Sequence, residues 1–500
     1  MANNLILLMN TAHFIILTNI LGVEEIGALA GVLIIVFAAA TLANFSLPLM
    51  IPTNVPLPAP VVKFIPQFLG RGERGKAARV FRLSVMVSTV ISLAIAAGIV
   101  LGATEVSRFL FRGVLTLPQV GVVALDTMLF TLGQLLMGAL IGSDRAARAG
   151  IYVSVAFALR YIVAAGSVLL GYGLWGVLIA YLLGDGLLLA LSAATLRPLI
   201  AEKGDHFPVG QFFDYANPLL VSSLIIFGVA QMDKIFTFLQ LGLSKLAIYN
   251  VAVVASTIGS FAPSALTTAL VPSLSAHDAK GDREGFLTMS KLYTRYVSLL
   301  SFPTAFGVAS AGIGLVQIFG RQYQPAALPA AIMSVGVGLT AFTAVYNGQL
   351  LAVKATREVM YANVAGLATL IATLAVLIPL MDYIGAAWSR LAMTLVVGLI
   401  LIYLVRRRGL FTLDRAGYLA GLVAATVMGV VVFAVLSNVG GYREQLAALP
   451  GVVLGGALIY LIALRAMRAY REEDIAFLES LLPARLRWAA RLAGRVAGVH

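Results

Sequence analysis

"LLVSSLIIFGVAQMDKIFTFLQL", residues 219–241, runs for 23 residues with one acid and one base, Asp233 and Lys234, side by side. As a helix it would rise about 35 Å, enough to cross a hydrocarbon core of about 30 Å. The two charges are what make the stretch informative. Each costs about 2.5 to 3.5 kcal/mol at the centre of a membrane helix on insertion scales, so ionisable residues in spans face a bundle interior or a wet cavity. The stretch therefore predicts a helix of a many-helix membrane protein, with Asp233 and Lys234 turned inward.

Reading outward from it, the chain holds fourteen candidate spans: 5–21, 26–50, 81–103, 117–141, 151–171, 174–196, 218–241, 247–272, 293–318, 328–352, 360–380, 384–404, 416–436 and 449–466. The 500 residues are 60% hydrophobic and 11% charged, and the mean hydropathy of +0.96 lies outside the range of soluble domains. The first stretch lacks the basic start and small-residue cleavage site of a signal peptide and reads as a helix. With the N-terminus inside, 27 of the 35 Lys and Arg fall in cytoplasmic segments, 5 fall outside, and Arg160, Lys234 and Arg390 lie within spans. This bias places both termini in the cytoplasm and the protein in the inner or plasma membrane.

The net charge of +13 sits in short loops beside helix ends, where an anionic leaflet accounts for it, and no nucleic-acid partner is expected. With no cysteine there is no disulfide scaffold, thiolate metal site or Cys nucleophile. The four histidines, His13, His206, His277 and His500, have no ligand spacing, and no Walker A loop or Ser-His-Asp pattern is present. No metal and no catalytic residue is expected.

The chain also repeats itself. "LGVEEIG" (21–27) answers "LGLSKLA" (241–247), "RGERG" (71–75) answers "KGDRE" (280–284), "GQLL" occurs at 133–136 and 348–351, and "GLWGVLIAY" (173–181) pairs with "DYIGAAWSR" (382–390). The shared order predicts two six-helix lobes of the same orientation, related by a pseudo-two-fold along the membrane normal, with a site between them near the midplane. The expected fold is all-α. It comprises a first lobe at 1–200 (helices 1–6), a second at 201–408 (helices 7–12), two extra helices at 409–468 and a basic cytoplasmic tail at 469–500. In that tail Arg487, Arg491 and Arg495 form one stripe and Trp488, Leu492 and Val496 another, the pattern of a helix lying on the inner leaflet.

Taken in order, these pieces resemble the polysaccharide exporters and lipid-linked oligosaccharide flippases of the multidrug/oligosaccharidyl-lipid/polysaccharide superfamily. The signs are the early "LGVEEIG", the acid-base pair in "MDKIF", "LSKLAIYNVA" into helix 8 and "ALVPSLS" at its end. They continue with "GDREGF" in the next loop, "IFGRQYQPA" after helix 9 and "YIGAAWS" opening helix 12. Many relatives carry a basic residue before the first LG; here "LTNILG" has Asn19. The resemblance implies flipping of a polyprenyl-linked (pyro)phosphate oligosaccharide from the inner to the outer leaflet by alternating access, with helices 13 and 14 offering a surface to the polyprenyl tail. The expected partners are the bilayer, the lipid-linked glycan and the glycan polymerases or glycosyltransferases that act on it. A multidrug cation antiporter of the same fold is one alternative. A membrane-embedded glycosyl- or acyltransferase is another, against which the short outer loops weigh.

Moving such an anion calls for cations, and Arg160, Lys234 and Arg390 are the candidates for binding its phosphate. Gln134 and Gln349, both in GQLL, are candidates for hydrogen bonds to the glycan. Asp126, Asp185 and Asp233 are candidates to carry a coupling H⁺ or Na⁺; no other cofactor is expected. The same residues serve equally well as internal ion pairs and helix-to-helix hydrogen bonds. Ser256, Ser260 and Ser264 form a polar stripe on helix 8, and Pro263 and Pro272 provide places for it to bend.

Overall fold

The computed structural model describes residues 2–47 and 57–469, and the basic tail expected at 469–500 lies almost wholly outside them. The described chain is helical apart from one two-residue antiparallel pair, β1 (Ser46–Leu47) with β2 (Leu57–Pro58). It divides into two compact units, Met1–Asn250 and Val251–His500.

Unit 1 holds α1 (Ala2–Ile20), α2 (Val23–Ala43), α3 (Ala59–Gly70), α4 (Arg74–Leu101), the short α5 (Ala103–Glu105), α6 (Leu117–Gly142), α7 (Ala146–Leu169), α8 (Gly173–Ala201) and α9 (Val209–Leu241). α10 (Leu243–Thr257) begins in unit 1 and ends in unit 2. Unit 2 continues with α11 (Phe261–Ala279), α12 (Arg283–Ser310), the short α13 (Gly312–Gln317), α14 (Ala327–Ala352), α15 (Thr356–Arg407), α16 (Arg415–Asn438) and α17 (Tyr442–Ala466). Eleven of these elements are long and apolar enough to cross a membrane. α15 counts once there but is two helices, since the chain reverses at Asp382 with φ 58° and ψ −146°. α1 and α12, less apolar, overlap the expected spans 5–21 and 293–318; the span expected at 26–50 is helical only as far as Ala43, and that expected at 247–272 is divided between α10 and α11.

Helix starts follow local chemistry. Gln119 Oε1 accepts from Thr116 N–H (2.8 Å) at the head of α6, and Asp282 Oδ1 accepts from Gly285 N–H (2.8 Å) at the head of α12. Between α10 and α11 the helix tightens to a 3₁₀ turn at Ile258–Ser260. Ser256, Thr257 and Ser260 each turn their hydroxyls back onto carbonyls three residues earlier, and Pro263 removes a donor just beyond. The side chain of Ser264 is not among those described, so the stripe is seen only in part.

The backbone bears out part of the repeat. Gly72 (φ 76°) precedes the start of α4 as Gly281 (φ 67°) precedes the start of α12, and Gly173 (φ 54°) opens α8 as Asp382 (φ 58°) opens the second half of α15. Glycine adopts that conformation without strain; Asp382 holds it with its own carboxylate accepting from Tyr383 N–H at 2.8 Å. The GQLL pair does not share a position. Gln134 lies two turns before the end of α6, and Gln349 lies in the last turn of α14.

Small residues set the helix contacts, as expected where lipid is as apolar as leucine. In unit 1, α2 meets the start of α10 so closely that a Cβ on Gly27 would strike the Leu243 carbonyl, and Gly31 sits between the rings of Phe238 and Phe111. In unit 2, Gly338 of α14 sits against Ala305 of α12.

Candidate functional site: a buried acid-base cluster in unit 1

The contact of α7 with α8 is where the first intramembrane charges meet. A Cβ on Gly184 would lie 2.7 Å from Cβ of Arg160, so the glycine admits the arginine between the helices. Arg160 Nη1 then reaches Asp185 Oδ2 at 3.1 Å, with the arginine 6% and the aspartate 1% exposed. Asp126 of α6, 3% exposed, is buried beside this pair. The cluster therefore sets one guanidinium against two buried carboxyl groups.

Aromatic rings close it. Cζ of Arg160 lies 3.4 Å from the ring centroid of Tyr181, a cation–π contact that favours the charged guanidinium. Tyr181 OH is 3.3 Å from His13 Nε2, and the imidazole stacks on Tyr161 with centroids 4.6 Å apart. Asp126 Oδ1, Arg160 Nε, His13 Nδ1 and both amide atoms of Gln134 are buried and meet no hydrogen-bond partner among the described residues.

The other sequence candidates lie elsewhere. Asp233 is fully buried, and its Oδ2 accepts from Tyr249 OH at 2.6 Å, which ties α9 to α10. Lys234, one position round the helix, is half-buried, as is Arg390 on the second half of α15. Gln349 Nε2 donates to Thr412 Oγ1 at 3.3 Å, fixing α14 to the loop before α16. Within unit 1 the structure thus gathers Asp126, Arg160 and Asp185.

Sequence reasoning passed over His13, Tyr161 and Tyr181, and a signal for two of them was present. His13 stands eight residues before the first LG, as Asp233 stands before the second, and Tyr181 ends the match whose partner ends at Arg390. Arg295 stands at the very start of the span expected at 293–318. It is 2% exposed and pairs with Asp414 at 2.9 Å, joining α12 to the head of α16. Outside the spans, Asp282 is held below the ordinary carboxylate range, first by the Gly285 N–H it accepts and then by His277.

Many helices long and apolar enough to cross a membrane, with buried ion pairs between them, define a multi-pass helical membrane protein. The family follows from sequence: the model for "Polysaccharide biosynthesis protein" matches residues 71–328, and the chain belongs to that family. Its fold is that of the multidrug/oligosaccharidyl-lipid/polysaccharide superfamily. A lipid II flippase MurJ in an inward closed conformation superposes with TM-score 0.67 at 12% identity, covering 92% of this chain and 96% of that one. An inward-facing multidrug resistance MATE family transporter gives 0.62 at 14% identity, with 80% and 94% covered. A superfamily transporter from Pyrococcus furiosus, described as having a binding pocket of reversed polarity, gives 0.50 at 14% identity, with 81% and 93% covered. At these identities the likeness is one of fold. No curated protein matches the chain significantly in sequence.

Proposed function

We propose that the protein is a secondary transporter that flips a polyprenyl-linked (pyro)phosphate oligosaccharide from the inner to the outer leaflet of the cell membrane by alternating access, coupled to protons at Asp126 and Asp185. Membership of a polysaccharide biosynthesis family supports the substrate class, and the fold shared with a lipid II flippase supports the reaction. The observation that carries the coupling is the buried carboxyl pair set against a single arginine. With both acids ionised the cluster carries one net negative charge, and with one protonated it is neutral. A change of that size in a low-dielectric interior can bias one conformation over another. In this reading Arg160 belongs to the coupling cluster. Lys234 and Arg390, both half-buried, contact the phosphate in this reading.

The test is leaflet-resolved transport of a fluorescent polyprenyl-pyrophosphoryl glycan in proteoliposomes, at varied pH and Na⁺. Asp126→Asn and Asp185→Asn should each flatten the pH dependence while the labelled lipid still binds. Wild-type pH dependence in both variants would remove these residues from coupling. The acidic excess of the cluster also suits a multidrug cation antiporter; export of a cationic dye without movement of the lipid would favour that reading.

A further inference from the structure

His13 is the member of the cluster whose place calls for an account. It lies on α1, is 3% exposed, and reaches the ion pair only through Tyr181. A cation–π contact depends on where the ring face lies, and a buried tyrosine ring is held by what its hydroxyl binds. Here the hydroxyl meets His13 Nε2, and the imidazole is in turn held flat on Tyr161, the residue next to Arg160. The contacts run from His13 to Tyr181, Arg160, Asp185 and Asp126, across α1, α8, α7 and α6. The repeat puts His13 where the second half has Asp233, and Tyr181 where it has Arg390, so both halves keep a polar group at each of these depths.

We propose that His13 is a positioning residue for the acid pair: through Tyr181 it fixes the guanidinium of Arg160 against Asp185, and so sets how readily Asp126 and Asp185 give up a proton. This rests on the proton-coupling reading above. The titratable groups facing the pair are Arg160 and Tyr161 on α7 and Tyr181 on α8, with His13 on α1 behind Tyr181. The buried residues of α2 include no charged group, and α4 presents Ser84, Ser88 and Ser92.

The experiment measures flipping of the fluorescent polyprenyl-pyrophosphoryl glycan against pH for wild type, His13→Ala, His13→Gln, Tyr181→Phe and the double variant His13→Ala/Tyr181→Phe. Loosening Arg160 leaves the carboxyls holding their proton more tightly. His13→Ala and Tyr181→Phe should therefore each move the half-maximal pH upward by about one unit, the low end of what a neighbouring cation does to a carboxyl. The double variant should shift no further than either single one, because both act by one route. His13→Gln, which keeps a donor for the tyrosine, should shift less than His13→Ala. Tyr181→Phe loses one oxygen and keeps its ring, so it supplies the reading even if His13→Ala is poorly folded. A pH-dependent wild type with an unmoved Tyr181→Phe profile, or additive shifts in the double variant, overturns the role of His13 alone. A wild type indifferent to pH overturns the coupling reading with it.

Discussion

Removing both acids of the cluster, as Asp126→Asn/Asp185→Asn, should destabilise the protein more than removing the base. Arg160 is 6% exposed and pairs with Asp185 at 3.1 Å, and a guanidinium does not deprotonate in proteins. Once the carboxylates are gone it stays charged and buried, with the Tyr181 ring it already had. Breaking a buried pair in this way costs about 3 to 5 kcal/mol. Arg160→Leu should cost less, because two carboxyls left together can take up protons and become neutral hydrogen-bonding groups. The triple variant, lacking all three charges, should recover most of the loss, since apolar or neutral replacements of buried pairs are often close to neutral. Thermal unfolding of the purified variants in detergent, treated as a cycle between Arg160 and the acid pair, measures this. A double Asn variant as stable as wild type would refute the reasoning, as would Arg160→Leu causing a further loss in that background.

Two predictions concern topology and packing. Gly281 and Gly409 have positive φ, so single cysteines are better placed at their exposed neighbours, as Lys280→Cys and Arg407→Cys. In intact cells both should resist an impermeant thiol reagent, and labelling from outside at either would break the proposed orientation. Gly27→Ala drives a Cβ into the Leu243 backbone carbonyl, whereas Gly31→Ala meets ring edges at 3.0 and 3.1 Å that can give way. The first should lose about 1 to 3 kcal/mol of stability and the second less, and equal thermal midpoints would show that α2 and α10 do not meet as described.

The helices were legible because a bilayer imposes length and apolarity on each span separately, so a window of sequence contains the whole signal. That is why α6, α14 and α16 start and end within a residue or two of their expected spans, while α4, α7 and α8 run past theirs at the expected cytoplasmic-loop end. The short α3 escaped notice because it is amphipathic, burying Val61, Phe64 and Phe68 while exposing Lys63, and is too short to span. The charged candidates were legible one by one for the same energetic reason, yet their partners were not. A pairing such as Arg160 with Asp185 depends on how α7 crosses α8, and that crossing rests on a single missing side chain at Gly184, whose neighbour across the contact no local pattern announces. The repeat carried more than the residue types did. GQLL was a match of letters whose two copies sit at different depths, while the turns at Gly72 and Gly281, and at Gly173 and Asp382, are matches of backbone conformation. Aligned on the shared LG where α1 and α9 end, His13 falls opposite Asp233, and a histidine set aside for want of metal-ligand spacing becomes an intramembrane polar residue at a position where the other half keeps a charge. For a chain built from two such halves, a match placed at the ends of its helices is therefore a better guide to buried polar sites than a shared tetrapeptide within a span.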